Sequence, residues 1–489
     1  MSTSPNILFI VLDTARAKTV LPNLNSGLMP TVSQLADQGI TFNNAMTTAP
    51  WTLPSHASLF TGQYTSDHDT HAGTKYFDPD VPTLAELLSE NGYSTVGISG
   101  NIWVSPEFGF DRGFDQFSMK YDYLWGGADL SEITQKDSNF ERFLSFINTL
   151  RSSGSVTRTI INAVWANTIA NRYDDGARRT TDRAIDWIDR NYSESTPFFF
   201  FINYLEPHLE YNPPDEFAND YLSKGISMDE ANRVNQDPWE YVAGDVEMEQ
   251  SEFQVLEELY KGELAYLDNQ LERIISRLNS LNIMDETMII IVGDHGENIG
   301  DHELMDHQYC LYDTLLHVPL IIRYPDEFNE GDEHDGLVEI RDLYPTILDV
   351  AGVNELPESS SMNSLLNIKK DSTRNSTIAE YLLPQPSLEA LQKSVENFDS
   401  SAQKYDHSLR SIRTKKWKLI ENGEKEIKLY DMESPNEETN DLSQKNPDVV
   451  RKLQDQLHKR LGKFKTENDY GNKISSSSKQ RLEDLGYLQ

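Results

Sequence analysis

The stretch NILFIVLD, residues 6–13, decides the fold class of this chain of 489 residues. From Ile7 to Leu12 every side chain is apolar, and the run ends at a carboxylate, Asp13. A strand with one solvent-exposed face alternates polar and apolar residues. An unbroken apolar strand is instead buried on both faces, as in parallel sheets. We therefore predict an α/β protein in which helices cover both faces of a mostly parallel sheet.

The rest of the first three quarters of the chain alternates such strands with helical segments. Buried strands are predicted at residues 40–46, 94–98, 197–204, 288–292 and 317–323. Amphipathic or long helical segments are predicted at residues 30–38, 81–90, 180–190, 251–281 and 340–351. This alternation is typical of a parallel sheet wound by helices.

Three of these strands end at residues that could bind a metal ion. Asp13 follows the first strand, His208 follows PFFFFINY shortly after its end, and Asp294-His295 follows MIIIV. Ligands of parallel α/β sheets bind beyond the carboxyl ends of the strands, so these side chains are expected at one edge. Two carboxylates and an imidazole suit Mn²⁺, Zn²⁺, iron or Mg²⁺ and, less well because of the imidazole, Ca²⁺.

The segment APWTLPSHASLFTG, residues 49–62, carries a candidate nucleophile. Pro54 is suited to the first turn of a helix, which places Thr52 at or just before the helix N-terminus. Thr52 could be a plain N-cap, the usual role of a threonine there. Alternatively, its hydroxyl could be a nucleophile that a bound metal ion activates. The pattern leaves both roles open.

The pattern of predicted elements changes near residue 375. We predict a catalytic domain over residues 1–375 and an α+β subdomain over residues 376–489. Two β-type runs flank Asn422-Gly423, which is a hairpin signal, and a charged helix is predicted at 447–464. The smaller subdomain is therefore expected to contain an antiparallel sheet.

Charge and composition exclude several classes of protein. The formal net charge is −36, with 79 acidic against 43 basic residues, which argues against nucleic-acid binding and adhesion to anionic membranes. Such a surface is typical of proteins that work in high salt, so we expect a halophilic protein. The single cysteine, Cys310, cannot form an intramolecular disulfide. An N-terminal segment without basic residues before its apolar run and the lack of a spanning segment favour a cytoplasmic location.

The motifs together resemble the sulfatase family of the alkaline phosphatase superfamily over nearly the whole chain. The similar blocks, in the family's order, are NILFIVLDTAR (6–16), PWTLPSHASLFTG (50–62), FGFDRGFDQF (108–117), FFFFINYLEPHLEYNPP (198–214), VGDHGENIGDHEL (292–304), LYDTLLHVPLIIRYP (311–325) and IRTKKWKLIENGEKEIKLYDMESPNEETNDLS (412–443). The resemblance implies an alkaline-phosphatase-like sheet with a smaller C-terminal α+β domain.

The resemblance also implies roles for individual residues. Asp13, Asp294 and His295 would bind a divalent metal ion beside Thr52, which would itself be a ligand. His208 and the residue at the position of His307, where the family often has lysine, would contact the anion. One metal ion or two remains open. Glu206, with His208 and His307, could supply a second site.

The chain departs from the sulfatase pattern at the nucleophile. Sulfatases have Cys or Ser, oxidised to formylglycine, where this chain has Thr52, and oxidation of a secondary alcohol gives a ketone rather than an aldehyde. No formylglycine is therefore expected. His56 stands where the family has arginine, and Asn101 lies in the stretch nearest to a missing Gly-Lys-Trp-His block. We expect both His56 and Asn101 to contact the substrate.

We therefore predict a metal-dependent hydrolase that cleaves an anionic ester through a covalent Thr52 intermediate, with His208 or His307 protonating the leaving oxygen. Phosphate or phosphonate esters are favoured over sulfate esters. A phospho-group transferase acting on a sugar or lipid, and a non-catalytic binding protein, are the alternatives. Within a predicted helical insertion at about 118–173, residues 143–173 contain no acidic residue. This segment could be a helical hairpin packed on the core, or a lid or docking surface for an anionic or amphiphilic substrate. The oligomeric state stays open.

Overall fold

A computed structural model describes residues 4–120, 176–353, 362–367, 374–424, 426–434 and 438–462. The predicted insertion at about 118–173 lies almost entirely outside the described residues. Its first two positions belong to a strand instead. Among the described helices none combines the length and the apolar character that crossing a membrane requires.

Regular elements alternate along the chain. The strands are β1 Asn6–Leu12, β2 Ile40–Met46, β3 Ser94–Ser99, β4 Gln116–Met119, β5 Phe198–Tyr204, β6 Thr287–Gly293, β7 Asn298–Ile299, β8 Met305–Asp306, β9 His317–Val318, β10 Leu320–Arg323, β11 Asp332–Glu339, β12 Thr377–Tyr381, β13 Leu409–Arg413, β14 Trp417–Asn422 and β15 Ile427–Asp431. The α-helices are α1 Ala17–Val20, α2 Pro30–Asp37, α3 Thr52–Thr61, α4 Thr65–His68, α5 Leu84–Glu90, α6 Ala177–Asn191, α7 Asp215–Ala218, α8 Met228–Ala231, α9 Pro238–Val242, α10 Gln250–Ser280, α11 Asp313–Leu316, α12 Leu343–Val350, α13 Leu388–Ser394 and α14 Pro447–Leu461.

The large sheet has nine strands in the order β11-β2-β10-β6-β1-β5-β3-β4, with β9 paired to β2. Strand β1 lies at its centre, parallel to both β5 and β6. All seven residues of β1 are buried, because helices and loops cover both faces of the sheet. The mostly parallel α/β architecture is confirmed.

One predicted strand differs in detail. The segment at 317–323 forms two strands, β9 and β10, separated at Pro319, which has no N–H to donate to a neighbouring strand. Strand β10 runs antiparallel to both β2 and β6. The apolar run signalled burial correctly, but a run buried on both faces does not report strand direction.

The C-terminal region forms an antiparallel sheet in the order β12-β13-β14-β15. Its apolar face packs on α14 through a separate cluster that includes Ile412, Leu419, Leu429, Leu453 and Leu457. This sheet also contacts the large domain through charge. Asp313 accepts hydrogen bonds from Arg413 Nε at 2.8 Å and from Lys418 Nζ at 2.7 Å.

Removing the carboxylate from this contact is expected to destabilise the fold. Burial alone would raise the pKa of Asp313, but Arg413 and Lys418 outweigh it and hold the pKa below its usual value. Asp313→Asn leaves both cations without this partner, so we expect a loss of about 3 kcal/mol of unfolding free energy. Urea denaturation at pH 7 measures it.

The matched control is Glu389→Gln, which breaks an exposed pair with Lys393 and is expected to change nothing measurable. A carboxylate whose pKa is lowered by folding contributes stability above its unfolded pKa and loses it as the pH falls. The gap between Asp313→Asn and the unaltered protein should therefore narrow below about pH 4. Equal stability of the two at pH 7 would contradict the prediction.

Candidate active site

The candidate site lies at the carboxyl ends of the three central strands. Asp13 directly follows β1, Asp294 and His295 follow β6, and His208 follows β5 after a short loop. Because β1 pairs in parallel with both neighbours, these ends meet at one edge of the sheet. The backbone pairing alone thus brings together residues nearly 300 positions apart in sequence.

Asp13, Asp294 and His295 form a buried cluster. One ligand atom from each lies within 4.8 Å of the others, and all three side chains are fully buried. Asp13 Oδ2 accepts a hydrogen bond from Asn101, and Asp294 Oδ1 accepts hydrogen bonds from two backbone amides. Asp13 Oδ1 and Asp294 Oδ2 have no hydrogen-bond partner. One oxygen of each carboxylate is thus left for another ligand.

The histidine of this cluster offers one defined nitrogen. His295 Nδ1 donates to the carbonyl of Gly296 at 2.9 Å, which leaves the lone pair of Nε2 facing the cluster. His295 Nε2 lies 3.3 Å from Asp294 Oδ2 and 3.6 Å from Asp13 Oδ1. Burial lowers the pKa of His295 well below its usual value, so the ring is neutral, as a metal ligand must be.

The two buried carboxylates, Asp13 and Asp294, are unfavourable in their ionised form without a compensating positive charge. Burial raises the pKa of Asp13, and burial together with the nearby Asp13 charge raises the pKa of Asp294 well above its usual value. Two ionised carboxylates in a low-dielectric site are unfavourable without compensation. Two unpartnered carboxylate oxygens and a neutral imidazole nitrogen therefore fit a divalent metal ion.

Thr52 is the first residue of α3, and the residue in the N-cap position is Trp51. The N-cap role considered for Thr52 is therefore wrong, since no side chain caps this helix. Its Oγ1 instead lies 3.2 Å from His295 Nε2 and accepts a hydrogen bond from Asn101 Nδ2 at 3.3 Å. The hydroxyl faces the carboxylate and imidazole cluster rather than the backbone of its own helix.

Two further predicted residues contact this cluster. Asn101 Nδ2 donates to Asp13 Oδ2 at 2.6 Å as well as to Thr52, so one amide bridges a metal-type ligand and the candidate nucleophile. His56 is fully buried, its Nδ1 donates to the Thr52 carbonyl at 2.9 Å, and Nδ1 lies 3.4 Å from Asp294 Oδ2. Burial lowers the pKa of His56 to about 4, so the ring is neutral.

A second group of possible ligands lies beside the first. His208, Asp306 and His307 each place a ligand atom within 4.8 Å of the others. The centroid of the His307 ring is 4.6 Å from that of His295 and 5.1 Å from that of His208. Glu206, expected among these residues, does not belong to the group. Its Oε1 accepts a hydrogen bond from the first amide of α6.

Two residues of this region were missed by the sequence reasoning. Glu297 is fully buried, and its Oε1 lies 3.5 Å from His307 Nδ1. Asp306 contacts the same nitrogen. Glu297 sits two residues after His295, a proximity that could have flagged it. Asp306 directly precedes His307, a predicted site residue, so the same kind of proximity could have flagged it.

Comparison with known families identifies the chain. The model of the sulfatase family matches residues 5–353. The chain belongs to the sulfatase family. A second model, that of the C-terminal region of N-sulphoglucosamine sulphohydrolase, matches residues 300–467. Membership of this family, within the alkaline phosphatase superfamily, makes the protein an ester-bond hydrolase, and an anionic substrate fits that activity.

Curated sulfatases resemble this family member over most of its length. Arylsulfatase K of Canis lupus familiaris is 25% identical over 479 residues, covering 93% of this chain and 82% of the relative. The uncharacterised sulfatase YidJ of Escherichia coli strain K12 is 28% identical over 375 residues, covering 75% and 71%. An arylsulfatase of Clostridium perfringens is 26% identical over 404 residues, covering 77% and 80%.

Solved structures share the sulfatase fold. A protein bound to its substrate D-glucosamine-2-N,6-O-disulfate superposes with a TM-score of 0.68 at 19% identity, covering 96% of this chain and all of the other. A phosphonate monoester hydrolase from Silicibacter pomeroyi superposes with a TM-score of 0.67 at 20% identity, covering 95% and 96%. The alkaline-phosphatase-like fold is thus confirmed, and it is shared by proteins named for both sulfate and phosphonate chemistry.

Proposed function

We propose that this sulfatase-family hydrolase is metal-dependent, uses unmodified Thr52 as its nucleophile, and prefers phosphate or phosphonate esters to sulfate esters. The observation that carries the proposal is the placement of Thr52 Oγ1, 3.2 Å from His295 Nε2 and hydrogen-bonded to Asn101. The fold does not choose between the two chemistries. A threonine at this position supports the preference for phosphorus esters, because it cannot be converted into the aldehyde of formylglycine.

Asp13, Asp294 and His295 would hold the metal ion. Bound there, a divalent ion would lower the pKa of a neighbouring hydroxyl and neutralise charge on the transferring group. The protein residues around it do the positioning. Asn101 donates toward Thr52 Oγ1 and so stabilises the negative charge that develops on this oxygen. His56 ties the Thr52 carbonyl in place, which fixes the first turn of α3.

The reaction has two steps. Thr52 Oγ attacks phosphorus in line as its hydroxyl proton passes to water, the Oγ–P bond forms, and the bond from phosphorus to the leaving oxygen breaks. His208 or His307, on the adjacent wall of the site, donates a proton to the leaving oxygen, which departs as the alcohol. Water then attacks the phospho-Thr52 ester at phosphorus, and the threonine hydroxyl is restored as the acid product leaves.

A substrate panel tests the proposal. Matched nitrophenyl esters of a phosphodiester, a phosphonate monoester, a phosphate monoester and a sulfate would be compared in high-salt buffer with Mn²⁺, Zn²⁺, Mg²⁺ or Ca²⁺. We expect kcat/KM for the best phosphorus ester to exceed that for the sulfate ester by at least about tenfold, a difference of about 1.4 kcal/mol in transition-state stabilisation. Sulfate turnover above that of every phosphorus ester would contradict the proposed preference.

The same assay distinguishes hydrolysis from group transfer. Added alcohols would be followed by product analysis, since a transferase forms a new phosphoester with the alcohol while a hydrolase releases the free acid. We expect the free acid to remain the main product at moderate alcohol concentration. Near-complete transfer to the alcohol would instead favour the transferase.

A further inference from the structure

Lys75 is a cation near the candidate site that no carboxylate compensates. Its side chain is half-buried, and its Nζ lies 5.2 Å from the centroid of the Trp103 ring. Among the described residues, no carboxylate lies within ion-pair distance of this ammonium group. Burial lowers the pKa of Lys75, and no acidic side chain offsets this effect. In a chain with 79 acidic against 43 basic residues, a partly desolvated lysine without an acidic partner is unexpected.

The backbone on both sides of Lys75 gives it a defined position. The turn before it, residues 71–74, is closed by two backbone hydrogen bonds. After it, the Phe77 amide donates to the Phe108 carbonyl at 2.8 Å. Trp103 packs against the same Phe108, with ring centroids 4.8 Å apart. The lysine and the tryptophan beneath its ammonium group therefore belong to one packed unit.

Trp103 connects this unit to the candidate nucleophile. Its amide donates to Asn101 Oδ1 at 2.9 Å, and Asn101 Nδ2 donates to Thr52 Oγ1 at 3.3 Å. The Trp103 ring also packs edge to face against Trp51, which directly precedes Thr52, with ring centroids 5.7 Å apart. Two separate contacts thus place the Lys75 ammonium group at the side of the site where Thr52 lies.

Lys75 is not paired with the carboxylates of the ligand cluster. In the function proposed above, the transferring group would be held at that cluster and at Thr52. An anion beside Lys75 would therefore be a different group of the same molecule. Such an anion would supply the charge that this lysine lacks, and a pair in a partly desolvated position is stronger than one in water.

We propose that Lys75 binds a second negatively charged group, carried by the organic part of the ester, so that the substrate has one anionic group at Thr52 and another at Lys75. The proposal rests on the function proposed above, since it takes the ester to react at Thr52. It adds the chemical class of the organic part and names Lys75 as a residue that determines specificity.

Matched esters test the proposal on the metal-loaded full chain. A nitrophenyl phosphodiester whose second alcohol ends in a carboxylate would be compared with its amide counterpart, which has nearly the same shape without the charge. A third ester ends in a phosphate, because either anion could pair with an ammonium group. We expect kcat/KM for at least one anionic ester to exceed that for the amide by about tenfold or more. The difference should lie mainly in KM, since Lys75 does not contact the reacting oxygen.

Variants of Lys75 assign this preference to its charge. Lys75→Met keeps an aliphatic chain over Trp103 and removes the charge, so the ratio of the anionic ester to the amide should fall to about one. Lys75→Arg should keep most of the preference. Lys393→Met is the matched control, because this exposed lysine pairs with Glu389, and it should keep the full ratio. Each ratio is measured within one variant, so partial loss of folded protein cancels.

Equal kcat/KM for the amide and both anionic esters in the unaltered protein would overturn the proposal. A preference that survives in Lys75→Met would also overturn it. Calorimetric binding of the matched alkylphosphonates to Thr52→Ala needs no turnover, and we expect the same difference of about tenfold in Kd there. A failure of Thr52 as nucleophile would therefore still leave the charge preference measurable.

Discussion

Thr52→Ala is expected to lower kcat/KM by about a thousandfold or more for every substrate in the panel. The variant removes the oxygen that forms the covalent bond, and loss of a nucleophile that acts as part of a unit has effects of this order or larger. The Thr52 side chain is almost fully buried, yet its hydroxyl makes no bond to its own helix, so the fold should survive. Steady-state kinetics and the thermal unfolding curve measure the two quantities.

Thr61→Ala is the matched control for this substitution. Thr61 is the last residue of α3, is equally buried, and donates through Oγ1 to the Ala57 carbonyl at 2.6 Å, away from the ligand cluster. It should keep the activity of the unaltered protein. Thr52→Ser should keep part of the activity, because it retains a hydroxyl at the same position. Full turnover by Thr52→Ala would mean that another group is the nucleophile.

Asp294→Asn is expected to abolish metal binding at the first group and to remove activity with it. Substitution of residues that only support metal ligands already costs about 10- to 100-fold in affinity, so loss of a ligand should cost at least that much. The stability of the metal-free protein, in contrast, should increase in this variant. Burial and, second to it, the Asp13 charge raise the pKa of Asp294, so a neutral amide relieves both penalties in the metal-free protein.

Thermal unfolding with and without metal separates these effects. We expect metal-free Asp294→Asn to unfold at a higher temperature than the metal-free unaltered protein. Added metal should stabilise the unaltered protein, by about 2.7 kcal/mol at a concentration of 100 Kd, and leave the variant less affected. Asp285→Asn is the control. Asp285 is exposed, precedes the N-terminal end of β6 and pairs with Arg323, so it lies away from the ligand cluster. Equal metal affinity of Asp294→Asn and the unaltered protein would contradict the assignment.

The inner strands of the large sheet could be predicted because they carry their burial in their composition, whereas the two edge strands, β11 (DEHDGLVE) and β4 (QFSM), were not predicted. The predicted bounds of β1 and β2 are those that the structure has, and the others differ by one or two residues at most apart from the divided segment at 317–323. An unbroken apolar strand has few alternatives to the centre of a sheet covered on both faces. Whether a strand runs parallel or antiparallel depends on the strand that it pairs with, and its own composition does not report this. The antiparallel orientation of β10 could therefore not be predicted.

The first ligand group was predictable for a related reason. Asp13, Asp294 and His295 are polar residues placed directly after apolar strands, where the chain leaves the sheet. The carboxyl ends of parallel neighbours must coincide, so strand order is enough to bring such residues together. Thr52 was also identified as a candidate. Whether it caps its helix or belongs to the site depended on where its hydroxyl points, which the sequence does not show.

The sequence by itself determined the α/β class, the family and the group formed by Asp13, Asp294 and His295. Only the tertiary structure decided that Thr52 Oγ1 faces this group, that Asn101 bridges Thr52 and Asp13, and that Glu297 and Asp306 lie beside His307. The physical reason is the distance in sequence over which each property is determined. Burial and turn preferences are local and appear in a short window of sequence. The partner of a buried polar atom is set by loops that fold back from distant positions, and in an acidic chain no composition signal distinguishes the buried carboxylates from the solvated ones.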